Sequence, residues 1–554
     1  MKITDTSDLW WRSAVVYCLD VETFLDWDGD GVGDLGGFAQ RLDYLAELGV
    51  TCIWLMPIYP TPGRDDGYDV TDLYGINERI GNHGDFVEVV RTARDRGIRV
   101  IIDLVVNHTS DQHPWFRSAR RSPSSPFRDW YVWADDPPKD QTEELFFPDV
   151  EDSIWEWDEK AGQHYRHRFY RHQPDLNTAN PLVRDELQKV VGFWLQLGVS
   201  GFRVDAVPFF IGGSDDQPGP RDPHQILRDL RSFASRRSGE AVLLGEVNLP
   251  YDEATAYFGE SGDELQMVFD FTLNQRMYLA LAREAAAPIV EALTARPALP
   301  NGAQWAVFAR NHDELTLDQL TDEERQEVFA AFGPDEEMQV WARGLRRRLP
   351  PMLDGDPRRI RMVYSLIYSL PGTPVLFYGE EIGMGEELSV EGRFAVRTPM
   401  QWTGGRNGGF SEAKPSRLHR PMTTGGFGPA HVNVEDQRSD TDSLLAFMEL
   451  LNRRYRESPE LAWGELEVLD QPHDAVLAHR MTHDEASTVC LHNLGPEAVV
   501  VPLELPDAEP GTELVDQLEA GTCGLDEKGR IELSLEGHGH RWLRVVPPGH
   551  RRLR

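Results

Sequence analysis

Four segments carry an apolar run into side chains that are costly to bury: DLVVNH (103–108), GFRVDA (201–206), LLGEVN (243–248) and FARNHDE (308–314). One carboxylate in such a place is most simply a helix cap or an ion-pair partner. Four such ends in order, with Arg203 two residues before Asp205 and His312 directly before Asp313, are hard to assign to structure alone. The residue types fit cleavage of a glycosidic bond with retention, in which one carboxylate attacks the anomeric carbon and another protonates the leaving oxygen. Arg203 and Asp205 have the period of a strand and point the same way, and a guanidinium beside Asp205 is expected to keep it ionised and nucleophilic. Glu246 closes an otherwise apolar strand, where partial desolvation strengthens a carboxyl's hold on its proton and suits a general acid/base. Asp313 suits a third carboxylate that grips sugar hydroxyls as the ring flattens. His108 and His312 suit neutral donors to those hydroxyls, although either histidine alone would read as structural.

A second cluster, DWDGDGVGD (26–34), sets Asp26, Asp28, Asp30 and Asp34 at alternating positions in a glycine-rich loop. Carboxylates this close repel one another without a cation, and hard oxygen ligands suit a structural Ca²⁺. The run starts like an EF-hand loop but has no acidic ligand at its twelfth position, so a solvated acidic turn is the alternative. No organic cofactor is expected.

These groups need elements that hold them. The runs 50–57, 99–108, 199–207, 241–246, 267–271, 304–310 and 373–378 read as buried strands. Between them lie amphipathic helices, such as GGFAQRLDYLAELG with Phe38, Leu42, Leu45 and Leu48 on one stripe and Gly49 as its stop, and 84–97 ending at Gly97. Alternation on this scale, with a strand count close to eight, predicts an α/β fold: a (β/α)8 TIM barrel over 1–108 and 173–455. Residues 109–172, rich in Pro, Trp, Asp and Arg, interrupt the alternation as an inserted subdomain. From 456 to 554 short alternating strands and turns predict a C-terminal antiparallel β-sandwich.

Composition narrows the function. A formal net charge of −36 over 554 residues argues against nucleic acid or an anionic membrane as partner. The cysteines Cys18, Cys52, Cys490 and Cys523 have no metal-ligand spacing and read as free thiols. The N-terminal segment lacks a signal pattern, and no apolar run has transmembrane length, so a cytoplasmic protein is expected. A homo-oligomer is compatible with the sequence.

The segments DLVVNH, GFRVDAV, GEVN and RNHDE, with HQPDLN (172–177) ahead of Asp205, resemble the ordered motifs of the α-amylase superfamily over roughly residues 10–450. That resemblance implies Asp205 as nucleophile, Glu246 as acid/base and Asp313 as transition-state stabiliser. It implies further that Asp69 of DDGYDV binds glucose, with Tyr68 stacking beneath the ring, and that Arg203, His108 and His312 contact sugar. It also implies that the Val32 backbone joins the calcium loop, and it suggests a second metal position at Asn107 and Asp175. Ala206, directly after Asp205, implies α-1,4-linked rather than α-1,6-linked substrates.

Within that superfamily SDQHPWF, RDWYVW, HRFYRHQPDLN, GEEIGMGEELS and VRTPMQW resemble the trehalose synthases, which interconvert maltose and trehalose by intramolecular glucosyl transfer. Arg397 of VRTPMQW would then reach the active-site mouth and hold the released glucose, with 109–172 as a lid that excludes water. YCLDVETF and GEVNLP depart from the usual trehalose synthase forms, which leaves a hydrolytic α-glucosidase or a glucosyltransferase to another acceptor as alternatives. A catalytically dead scaffold is the remote one, because all three carboxylates are present.

Overall fold

The computed structural model describes residues 7–137, 145–211 and 222–549. Parts of the expected units, residues 1–6, 138–144, 212–221 and 550–554, lie outside them.

Eight strands close a barrel: β1 (Val16–Leu19), β2 (Cys52–Leu55), β3 (Arg99–Leu104), β4 (Gly201–Val204), β5 (Val242–Gly245), β6 (Met267–Phe269), β7 (Gln304–Phe308) and β8 (Thr373–Phe377). Each pairs in parallel with the next, and β8 returns to β1 through Val16↔Val375. The strands are buried on both faces, as Cys52, Ile53, Trp54 and Leu55 of β2 show. This is why they read as continuous apolar runs rather than as alternation. Seven were legible from that pattern, and β1 completes the ring.

The strands stop earlier than the apolar runs suggest. β3 ends at Leu104, β4 at Val204, β5 at Gly245 and β7 at Phe308. Asn107, His108, Asp205, Glu246 and Asp313 therefore all lie just past strand C-termini, the face where such barrels build their sites.

The helix expected over GGFAQRLDYLAELG is two segments, Leu35–Gln40 and Leu42–Leu48, broken at Arg41 and ended by Gly49 at φ 93°. Asp34 caps the first by accepting from the Gly37 amide, so one acidic-loop carboxylate already has a structural task. Helix His83–Asp95 opens with a capping box between Asn82 and Asp85.

Between β3 and β4 the chain forms a small antiparallel sheet from Trp133–Ala134, Gln163–Arg166 and Trp155–Asp158. After Glu465 two antiparallel sheets follow, of six and two strands. Val489 and Leu491 from the larger and Val501 and Leu533 from the smaller share one buried apolar cluster. The larger sheet docks on the barrel helix Pro357–Ser369, where the Trp542 indole and the His492 imidazole both meet the Ser365 hydroxyl, at 3.0 and 2.9 Å. All four cysteines are free, and among the described residues no helix is long and apolar enough to cross a membrane.

Candidate active site

Arg203, 2% exposed, organises the barrel mouth. Its Nη1 donates to Asp103 Oδ1 at 2.6 Å and to Asp205 Oδ1 at 2.5 Å, and its Nη2 donates to Glu246 Oε2 at 2.6 Å. Three carboxylates around one cation in a dry site cannot all stay ionised, so the cluster sorts its protons. Burial pushes Asp205 up to about 6 against the opposing pull of Arg203. The sequence expectation had Arg203 dominating; the structure makes desolvation the larger effect. Asp205 is nonetheless mostly ionised at neutral pH. Glu246 is carried up to about 7, by burial first and then by the Asp205 and Asp313 charges, with Arg203 opposing. The environments therefore separate a carboxylate suited to attack from one suited to carry a proton.

Ala206 follows Asp205 in the left-handed region, at φ 49°. An alanine there is strained by on the order of 1 kcal/mol. The turn brings the Ala206 amide 3.1 Å from Glu246 Oε2, so the residue after one carboxylate orients the other.

Asp313 is held from two sides. Its Oδ1 accepts from Arg393 Nη1 at 2.7 Å and from Arg397 Nη2 at 3.0 Å, and its Oδ2 lies 3.1 Å from His312 Nε2. Burial would raise it, but His312, Arg393, Arg397 and Arg203 outweigh that and hold it below the ordinary carboxylate range. Asp313 is thus a permanent anion beside two acids that titrate near neutrality.

These carboxylates face a cavity of about 380 Å³, whose lining includes Asp65, Tyr68, His108, Asp205, Glu246, Asp313 and Arg393. Its size falls within the roughly 300–1,000 Å³ usual for small-molecule sites. Phe146, Phe169, Phe209 and Phe271 add apolar surface, and Asn248, Glu314, Asp318 and Arg343 add polar groups. Tyr68 turns its hydroxyl to His312 Nε2 at 2.7 Å, with the two rings stacked 5.7 Å apart. His108 lines the cavity, and burial lowers its pKa, keeping it neutral as a donor should be. Arg203 and His312, both expected to contact sugar, are 2% and 0% exposed and do not line it: Arg203 binds the carboxylates from below, and His312 supports Tyr68 and Asp313 from behind.

Two further expectations are corrected. Asp69 does not face the cavity: its carboxylate is spent on Thr61 Oγ1 at 2.6 Å and on the amides of Arg64 and Asp65 at 3.1 and 3.2 Å. Asp65, four residues earlier, lines the cavity instead and accepts from Arg393 Nη2 at 2.7 Å. Arg397 does not reach the mouth either. It is 0% exposed, with Nε on the His312 carbonyl, Nη1 on Asp66 and Nη2 on Asp313. Arg393, one turn earlier in the 3-10 segment Gly392–Val396, is the arginine on the cavity wall. Asp103 was also missed as a functional residue. It stands inside the DLVVNH motif, and its partnership with Arg203 is a matter of register between β3 and β4, where Asp103 and Arg203 are direct neighbours.

In the acidic loop Asp26, Asp28 and Asp34 bring one carboxylate oxygen each within 4.8 Å of one another. Asp30 is outside this triad and accepts from the buried Val32 amide at 2.8 Å. Loop amides of Gly29 and Gly31 point at Asp26, and those of Trp27 and Asp28 at Asp34. Desolvation, with the charges of Asp30, Asp34 and Asp26, raises Asp28. A hard divalent cation would relieve that repulsion, so the donor set fits Ca²⁺. Asn107 and Asp175 do not form a second metal position. Asp175 accepts from Asn107 Nδ2 at 3.2 Å and from Arg166 Nε at 2.9 Å, and that buried guanidinium already supplies the positive charge.

Comparison with known proteins places the chain in a family. The catalytic-domain model of the α-amylase family matches residues 20–332 and 346–464, and a sucrose hydrolase-like C-terminal domain matches 486–544. A trehalose synthase/amylase of Mycobacterium tuberculosis is 42% identical over 564 residues, covering 98% of this chain and 93% of that protein. A trehalose synthase of Pimelobacter is 40% identical, covering 97% of this chain and 96% of that protein. Among solved structures, an inactive double mutant of the trehalulose synthase MutB in complex with isomaltulose superposes with a TM-score of 0.78 at 27% identity. It covers 97% of this chain and 99% of its own.

Proposed function

The chain belongs to the α-amylase family, and from that premise we propose that it interconverts maltose and trehalose by intramolecular glucosyl transfer. The observation that carries this reading is the likeness to trehalose synthases at 40–42% identity along nearly the whole chain.

In the proposed mechanism Asp205 attacks the anomeric carbon of the non-reducing glucose of maltose, while Glu246 gives its proton to the glycosidic oxygen. The C1–O bond breaks, leaving a glucosyl ester on Asp205 and free glucose in the cavity. Asp313, Asp65 and Arg393 hold the flattening ring, with Tyr68 against its face. The glucose turns, its own anomeric hydroxyl loses a proton to Glu246, and its oxygen displaces Asp205 to form the α,α-1,1 bond. Microscopic reversibility runs the same steps back to maltose.

Retention of the glucose separates this outcome from hydrolysis. Phe146, Arg168 and Phe169 of the segment 109–172 lie in the cavity wall, which supports its reading as a lid. Phe147 packs 4.7 Å from Trp341, and the Arg343 guanidinium lies 4.5 Å over Phe146, linking that segment to the loop opposite. Such closure excludes water while the ester exists. Glu314, which burial and then Asp313 push up to about 7, with Asp318 and Asn248 supplies partners for the turning glucose. Chromatography of products from maltose tests the reading: trehalose as main product supports it, and glucose alone would make the enzyme a hydrolase.

The acidic loop is proposed to hold one structural Ca²⁺ through Asp26, Asp28 and Asp34. The loop is tied to the 410–420 segment by the Ser411 hydroxyl on Asp26 Oδ2 at 2.5 Å, so a bound ion would brace that segment. Chelation is expected to lower Tm by several degrees and added Ca²⁺ to restore it, because a ligand that binds only the folded state stabilises by about 2.7 kcal/mol at 100 times its Kd. Asp28→Asn, at an exposed side chain, is expected to abolish that response. An unchanged Tm on chelation would contradict the assignment. The buried free thiols and the small-sugar chemistry fit a cytoplasmic setting for the enzyme.

A further inference from the structure

The loop after Arg64 sends two adjacent carboxylates in different directions. Asp66 has φ 50° and Gly67 φ 96°, so the chain turns through the left-handed region between them. Asp65 goes to Arg393 on the cavity wall, whereas Asp66 goes to Arg397 behind it. Asp66, Arg397 and Arg420 are all absent from the cavity lining, yet they form one chain of contacts that ends on Asp313. Arg420 Nη2 donates to Asp66 Oδ1 at 2.9 Å, Arg397 Nη1 to Asp66 Oδ2 at 2.8 Å, and Arg397 Nη2 to Asp313 Oδ1 at 3.0 Å. The Arg397 and Arg420 guanidiniums both lie over the Phe394 ring, at 5.2 and 4.7 Å, which limits their movement.

The charges explain what this chain of contacts does. Arg397 is wholly buried, and a buried cation draws on whatever anion it can reach. Were Asp313 its only counter-ion, that carboxylate would be committed to Arg397 and drawn away from substrate hydroxyls. Asp66 supplies the second anion, so Arg397 can steady Asp313 with a single N–H. Arg420, with His419 Nε2 3.7 Å from the same Oδ1, in turn keeps Asp66 in place.

We propose that Asp66 and Arg420 are positioning residues for glucosyl transfer: Arg420 holds Asp66, Asp66 balances Arg397, and Arg397 thereby sets the direction of the Asp313 carboxylate. The proposal rests on the reading of Asp313 as a reacting-site carboxylate.

The test measures kcat, KM and Tm for Asp66→Asn, Arg420→Met and Arg420→Lys, with Asp313→Asn as reference and an aryl α-glucoside as the reactive substrate. Asp66→Asn is expected to lower kcat on the order of 10- to 100-fold, as a misdirected group does, with KM changed less than about threefold. Arg420→Lys should recover most of the activity that Arg420→Met loses. The double variant Asp66→Asn/Asp313→Asn should be no slower than Asp313→Asn alone, because both changes act through one carboxylate. Should Asp66→Asn cost too much stability, Arg420→Met, at a partly exposed side chain, carries the same comparison. Unimpaired kcat in folded Asp66→Asn and Arg420→Met beside an inactive Asp313→Asn, or additive losses in the double variant, would overturn this proposal alone. A fully active Asp313→Asn would overturn it together with the reading of Asp313.

Discussion

Asp205→Asn is expected to reduce turnover of maltose by at least about 10⁴-fold, the scale seen when the nucleophile of a covalent mechanism is removed. The asparagine keeps the size of the side chain and an oxygen for Arg203 Nη1, so the Asp103–Arg203–Glu246 cluster retains its frame. It has no carboxylate oxygen to form the ester. The pKa gives this variant a second signature. Burial raises Asp205 to about 6, above its unfolded value, so its ionisation opposes folding and that cost grows as pH rises through the interval between the two values. Asparagine carries no such cost. At pH 7 the variant should therefore melt no lower than the wild type. A folded variant with substantial turnover would remove Asp205 from the mechanism.

Glu246→Gln has the second largest expected effect, a fall in kcat on maltose of about 10²–10⁴-fold. It should depend on the leaving group. α-Glucosyl fluoride needs no protonation to depart, so its first step should survive in the variant far better than that of maltose. The pH profile provides an independent check. Asp205 must have lost its proton and Glu246 must hold one, so wild-type activity should rise through about pH 6 and fall through about pH 7. The glutamine variant should lose the alkaline limb and keep the acid one. Equal losses on both substrates, or an unchanged alkaline limb, would assign proton transfer to another group.

Much of this site was legible because strand ends are legible. An apolar run that breaks into Asp, Glu, Asn or His marks both a barrel strand and its functional end, so Asp205, Glu246, Asp313 and His108 emerged from pattern and chemistry together. What the pattern could not show was the direction of a side chain in irregular backbone. DDGYDV holds three aspartates, and the choice between Asp65 and Asp69 is made by the left-handed turn at Asp66 and Gly67. The choice between Arg393 and Arg397 is made by a single 3-10 turn. Nothing local in the sequence announces either. The balance at Asp205 was hidden for another reason. Arg203 is visible two residues away, whereas the desolvation that outweighs it comes from the surrounding barrel mouth. β1 was missed although, at four residues, it is as long as β2, β4 and β5. The apolar pattern after Glu465 reports turns well and pairing poorly, since two sheets with crossed order share similar strands.

In intramolecular transfer the glucose released from maltose is glucosylated again before it leaves the cavity in nearly every turnover. Incubating the enzyme with unlabelled maltose and an excess of ¹³C-labelled free glucose, then resolving trehalose by mass spectrometry, tests it most directly. Intramolecular transfer predicts trehalose as the main product, almost wholly unlabelled, with glucose as a minor by-product. Trehalose carrying one labelled ring would show transfer to an exchanging acceptor, and glucose without trehalose would show hydrolysis; either result contradicts the account.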